Sequence, residues 1–205
     1  MQHAAATVNE AVVAFHTALA AIDTSQEVLA REKLDRVVAL VPQEPAGWAN
    51  LAPPHARGAL WRRLHHKRWH FVALVTEELF CGVAIVDIGW SNTCFAYAFD
   101  RGEGRVLAAF SPLGVAGLTA FVGATVAEGA RFGMPGRRIA ITPDGVHGHH
   151  LLLRGGRFRI DAHYSGEGPR LLAIGPTFDG GSVHSTQKSP GLALTGEVEA
   201  DGRRY

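Results

Sequence analysis

His147, His149 and His150 form a His-x-His-His cluster, and histidines two apart on a strand share a face, an arrangement that suits zinc or another divalent cation. Gly145 and Gly148 place the cluster beside a hairpin tip. Exposed histidines are common in such loops, so the cluster reads as solvent-facing, and no metal or other cofactor is expected. Asp161 and His163 share the polar face of a later strand, while His184, Thr186 and Lys188 share that of another. A carboxylate and imidazoles are the groups from which a proton donor and a base for water are made. Asp161, His163 and His184 are therefore the candidate catalytic residues, if the fold brings them together. No phosphate-binding glycine loop, Gly-x-Ser-x-Gly elbow or His-Glu-x-x-His motif occurs.

The elements that must carry these side chains follow from a change of period near Lys67. Trp69, Phe71, Ala73 and Val75 alternate with their neighbours, and stretches 82–88 and 95–99 flank a Gly89-Trp90-Ser91-Asn92 turn. Ile139 and Ile141 lead to Pro143-Asp144-Gly145, and Leu151 to Leu153 lead to Gly155-Gly156. The cleanest strand is 157–164: Arg157, Arg159, Asp161 and His163 face one way, and Phe158, Ile160, Ala162 and Tyr164 the other. About eight short strands without crossover helices predict an antiparallel barrel, an incomplete barrel or a sandwich. Asp201-Gly202 marks a further tight hairpin turn. The returning Arg203-Arg204-Tyr205 is short for a strand, so the expectation is a piece of a longer protein.

The first fifty residues differ in kind. Val8, Val12, Phe15, Leu19 and Ile22 recur at helical spacing, and Thr24 with Glu27 forms a capping box for a second helix carrying Ala30, Leu34, Val37 and Val41. With Pro42, Trp48, Leu51 and Ala52 following in register, this segment resembles one tetratricopeptide repeat and the start of the next. Pro53-Pro54 halts the second. The predicted organisation is a repeat-like helical hairpin over 1–52, a linker with a short helix over 53–66, and an antiparallel β domain over 67–205. A protein partner of the helical segment is one reading, and a packed appendage is the other. Arg57, Arg62, Arg63, Lys67 and Arg68 surround Trp61 and Trp69, a pattern that can bind nucleic acid. Leu60, Trp61 and Leu64 at helical spacing explain the same letters as a helix with a solvated basic face.

Composition narrows the classes. A chain of 205 residues, 47% hydrophobic and 19% charged, is ordinary for a globular protein, and a net charge of +1 provides no global field for nucleic acid or an anionic membrane. Neither is expected as a partner. Cys81 and Cys94 lack metal-ligand spacing and read as small buried hydrophobes, which with the absence of a secretory signal points to the cytoplasm. The charge-free stretch between Arg105 and Glu128 is diluted by Gly114, Gly117, Gly123 and Pro112, and reads as strands rather than a membrane span.

Lys67-Arg68-Trp69-His70-Phe71-Val72, Gly82 through Trp90, Phe95 through Asp100, Thr186-Gln187-Lys188-Ser189-Pro190, and Gly196-Glu197-Val198 before Asp201-Gly202-Arg203 together resemble the N-terminal half of the bacterial DUF2804 family, over roughly residues 55–205. The resemblance implies a calycin-like, lipocalin-related β-barrel, similar in outline to hydroxyneurosporene synthase and AttH-like proteins. It implies no catalytic residues. A lipocalin-like domain binding an apolar small molecule, lipid or isoprenoid, is the leading expectation, with Trp69, Phe71, Trp90, Phe99, Phe158 and Tyr164 as ligand-binding walls. The alternative is a hydratase of the hydroxyneurosporene synthase type working by acid–base chemistry through Asp161, His163 and His184. Whether the protein is an enzyme stays open at the level of sequence.

Overall fold

The computed structural model describes residues 57–167, 171–174 and 185–205. A helix, α1 (Ala59–His65), opens this part of the chain, where Leu60, Trp61 and Leu64 set the helical spacing. The Trp61 ring stacks on His65 at 4.4 Å. Strands β1 (Arg68–Val75), β2 (Leu79–Asp87), β3 (Ser91–Asp100) and β4 (Arg105–Phe110) then form an antiparallel meander. β5 (Leu113–Val115) pairs with the start of β3 after β4 has paired with its end. Pro112 lies at the break between them and cannot donate to the ladder. Its carbonyl instead accepts from Thr93 Oγ1 at 2.8 Å.

The second sheet contains β6 (Ala120–Val122), β7 (Ala130–Met134), β8 (Arg137–Pro143), β9 (Gly148–Gly155), β10 (Phe158–Ser165), β13 (Ala193–Ala200) and β14 (Arg203–Arg204), in the order β14-β13-β10-β9-β8-β7-β6. Between β10 and β13 in sequence, β11 (Leu171–Ile174) and β12 (Ser185–Lys188) make a separate two-stranded ribbon that belongs to a different compact unit. Turn chemistry fixes the hairpins. Asp201 and Gly202 both have positive φ, 52° and 74°, as a two-residue turn matched to strand twist requires. Tyr205 extends the short β14 by exchanging two backbone hydrogen bonds with Val198, at 2.9 and 3.0 Å. In the β2–β3 turn Gly89 has φ 86°, and a side chain there would run into the Arg63 carbonyl of α1.

One core joins the inner faces of the two larger sheets. Leu79, Cys81, Val83 and Ile85 of β2 and Cys94, Ala96 and Ala98 of β3 form one buried cluster with Phe132, Ile139, Ile141, Leu151, Leu153, Phe158 and Ile160. Cys81 and Cys94 are free and fully buried, and burial pushes both thiols up to about 12. Buried Asn92 ties the sheets at one end: its amide donates to the Val115 carbonyl at 2.8 Å, and its oxygen accepts from Thr119 Oγ1 at 2.6 Å. At the other end, Arg203 reaches Glu103 at 2.6 Å, and the Tyr205 hydroxyl donates to Asp100 at 3.2 Å.

The fold is therefore mainly antiparallel β with a single short helix among the described residues. Of the expected forms it corrects the closed barrel: among the described residues the sheets end at β1 and β4 or β5 on one side and at β6 and β14 on the other, without closing. The reason is local. β3 gives its two halves to β4 and β5, and the chain then crosses to start a second sheet at Ala120 rather than extending the first. The repeat-like helical hairpin expected over 1–52, and any protein partner of it, lie outside the described residues. The stretch between Arg105 and Glu128 contains β4, β5, β6 and a 3-10 turn at Val126–Glu128, and no helix of the described residues is long and apolar enough to cross a membrane.

Candidate functional site

Strand pairing assembles titratable groups that are separated in sequence. β9 and β10 place His150 opposite His163, and both point to the outer, wet face of the second sheet, because Leu151, Ile160 and Ala162 take the inner one. The two imidazoles stack at 4.3 Å with their planes 5° apart. His150 Nε2 lies 2.7 Å from Asp161 Oδ1, and His163 Nδ1 lies 2.6 Å from Asp144 Oδ2. One nitrogen or oxygen from each of His150, Asp161 and His163 falls within 4.8 Å of the other two. The turn that supplies Asp144 is closed by its own N–H donating to the Gly148 carbonyl at 2.9 Å.

His149 neighbours His150 and therefore takes the opposite face. Its ring stacks on Tyr164 at 5.4 Å, meets His70 edge-on at 5.9 Å, and its Nε2 lies 3.0 Å from the Val126 carbonyl. Burial, followed by the charge of His149, pushes His70 down to about 4. Burial likewise raises the Tyr164 phenol, whose oxygen has no hydrogen-bond partner among the described residues. His147 sits in the turn before β9. Asp161 and His163 are thus brought together on a solvent-facing surface, with Asp161 63% exposed in its side chain, and not in a dry cavity. His184 lies outside the described residues.

A different chemistry occupies the outward face of the first sheet. Alternation along β1 sends Trp69, Phe71, Ala73 and Val75 outward, and the register pairs them with Val86, Ala84, Gly82 and Phe80 of β2. β3 continues the surface with Thr93, Phe95, Tyr97 and Phe99. None of these positions carries a charge. The Phe71 and Phe95 rings approach to 6.4 Å and those of Phe80 and Tyr97 to 5.9 Å. They lean over the small residues of β2, so that a methyl group at Gly82 would stand 2.6 Å from the Tyr97 ring. Phe71 nevertheless remains 49% exposed and Val75 56%.

The expected ligand walls therefore separate. Trp69, Phe71 and Phe99 share this outward face. Trp90 is an exposed residue of the β2–β3 turn. Phe158 is core, edge-on to Phe110 at 6.2 Å, and Tyr164 stacks on His149. Phe110 and Phe158 also border an open cleft of about 420 Å³ with Arg137, Gly155, Arg157 and Asp201. Sequence reading missed Phe80, Phe95 and Tyr97, whose period of two was visible but whose orientation was not. It also missed Asp144 as the partner of His163; its place in the turn just before His147 was the available signal.

No curated protein and no solved structure matches the chain. The model of the domain of unknown function DUF2804 matches residues 40–205, which covers most of the chain and all of both larger sheets. The chain belongs to the DUF2804 family.

Proposed function

We propose that this chain binds an apolar small molecule of lipid or isoprenoid type on the outward face of β1–β3. One observation carries the reading: β3 turns Cys94, Ala96 and Ala98 into the core and Phe95, Tyr97 and Phe99 outward. The larger rings take the face that a two-layer fold normally gives to polar residues. Contiguous apolar surface of this kind marks a contact site. Gly82 and Ala84 form a low floor down the middle strand, and rings from β1 and β3 close over it. A slender hydrocarbon fits between such rings once they swing aside, and the lack of charge leaves no ion to desolvate.

Titration with cis-parinaric acid, a fluorescent polyene fatty acid, tests this reading, with Trp69 as energy donor beside the site. Saturable one-to-one binding is expected. Phe71→Lys should weaken it at least about tenfold, since an aromatic contact worth about 1 kcal/mol is lost and a charge is added. The same change should cost the fold only about 1 kcal/mol, through loss of the Phe71–Phe95 pair. Absent binding, or equal affinity in the variant, would reject the site.

A further inference from the structure

We infer that His150, Asp161 and His163 form a binding site for one divalent transition-metal cation, with zinc as the best match to two imidazoles and a carboxylate. The site is independent of the apolar face and lies on the other sheet. Three observations carry it. One donor atom from each side chain already lies within 4.8 Å of the other two, and the exposed His163 ring has to turn out of its parallel stack on His150 for one ion to lie in the plane of both. His150 Nε2 and Asp161 Oδ1 stand 2.7 Å apart across one hydrogen bond. A cation between them would take the place of the shared hydrogen, and the imidazole would bind as the neutral ring with its remaining proton on Nδ1. Asp144 holds His163 through Nδ1 at 2.6 Å, leaving Nε2 as the nitrogen free to coordinate.

A carboxylate behind a ligating histidine is the usual means of fixing its tautomer and ring direction. Asp144 is therefore a positioning residue here, and the other three are ligands. Their exposure, 52% for the His163 side chain and 63% for Asp161, allows the cation to enter directly and leaves its fourth position to water. Two elements specify the set, since a strand pair contributes the ligands and the β8–β9 turn contributes Asp144.

Zinc alone, titrated into the full chain against a chromophoric chelator, should bind one-to-one, and cobalt in its place should show the intense visible bands of a four-coordinate site. His150→Ala and His163→Ala should each lower affinity by more than about 100-fold, and Asp144→Asn by about 10- to 100-fold, as loss of an outer carboxylate does elsewhere. His147→Ala, which alters a histidine outside the set, should leave affinity unchanged. Circular dichroism of each variant separates lost ligands from lost fold. Equal zinc affinity in wild type, His150→Ala and His163→Ala, or a cobalt spectrum no different from the hydrated ion, would overturn the inference.

Discussion

Acidification from about pH 7 to about pH 4 is expected to remove about 3 kcal/mol of folding stability through His70 alone. The imidazole lies on the inner side of β1 edge-on to His149, and burial holds it down to about 4 against an ordinary 6.5. In the window between those values the unfolded chain takes up a proton that the folded chain refuses. Stability is therefore fully present above 6.5, declines as the pH falls, and has lost this contribution once the folded group itself protonates. His66, lowered mainly by burial, acts in the same direction. Asp100 adds a separate step at lower pH: the Glu103 N–H, assisted by Tyr205, holds its carboxyl below the usual range, so its contribution is lost only on stronger acidification. Denaturant titrations at several pH values check this. In His70→Leu the loss between about pH 7 and about pH 4 should shrink by most of that amount; parallel profiles for variant and wild type would refute the assignment.

Phe132→Ala should cost about 3–5 kcal/mol, a large share of the roughly 5–15 kcal/mol that holds a typical domain together. Phe132 is 1% exposed, pairs in register with Ala120 and Ile139, and belongs to the cluster that joins both larger sheets. Truncation leaves a cavity that β-sheet neighbours on either side hold open. Phe71→Ala is the internal control. Its ring is half-exposed on the opposite side of the first sheet, so its removal should cost only about 1 kcal/mol. Comparable shifts in the urea midpoint for the two variants would mean that the faces of the first sheet have been assigned the wrong way round.

That assignment is also where sequence reading reached its limit. Along β10 the letters alternate charged and apolar, and the observed burial alternates with them from Phe158 to His163. The Asp144-Gly145, Gly155-Gly156 and Asp201-Gly202 turns were legible for the same reason: each needs a positive φ that few residues adopt. In β3 both sets of alternating side chains are apolar, Cys94, Ala96 and Ala98 against Phe95, Tyr97 and Phe99. Size favoured burying the rings, but packing against the second sheet selected the small residues instead. The histidine cluster failed as a sequence unit for a geometric reason. His149 and His150 are consecutive on a strand and therefore face opposite ways, while the partners of His150 stand on β10. The register of the β9–β10 hairpin, rather than spacing along either strand, made the candidate metal site.

Amide NMR spectra of the isotope-labelled full chain, recorded during titration with cis-parinaric acid, test the central claim most directly. The account predicts shifts confined to the outward row, at Phe71, Ala73, Gly82, Ala84, Phe95 and Tyr97, with Leu153 and Ile160 in the second sheet unmoved. Shifts centred on Phe110, Arg137 and Phe158 around the open cleft, or a spectrum that does not change, would contradict it.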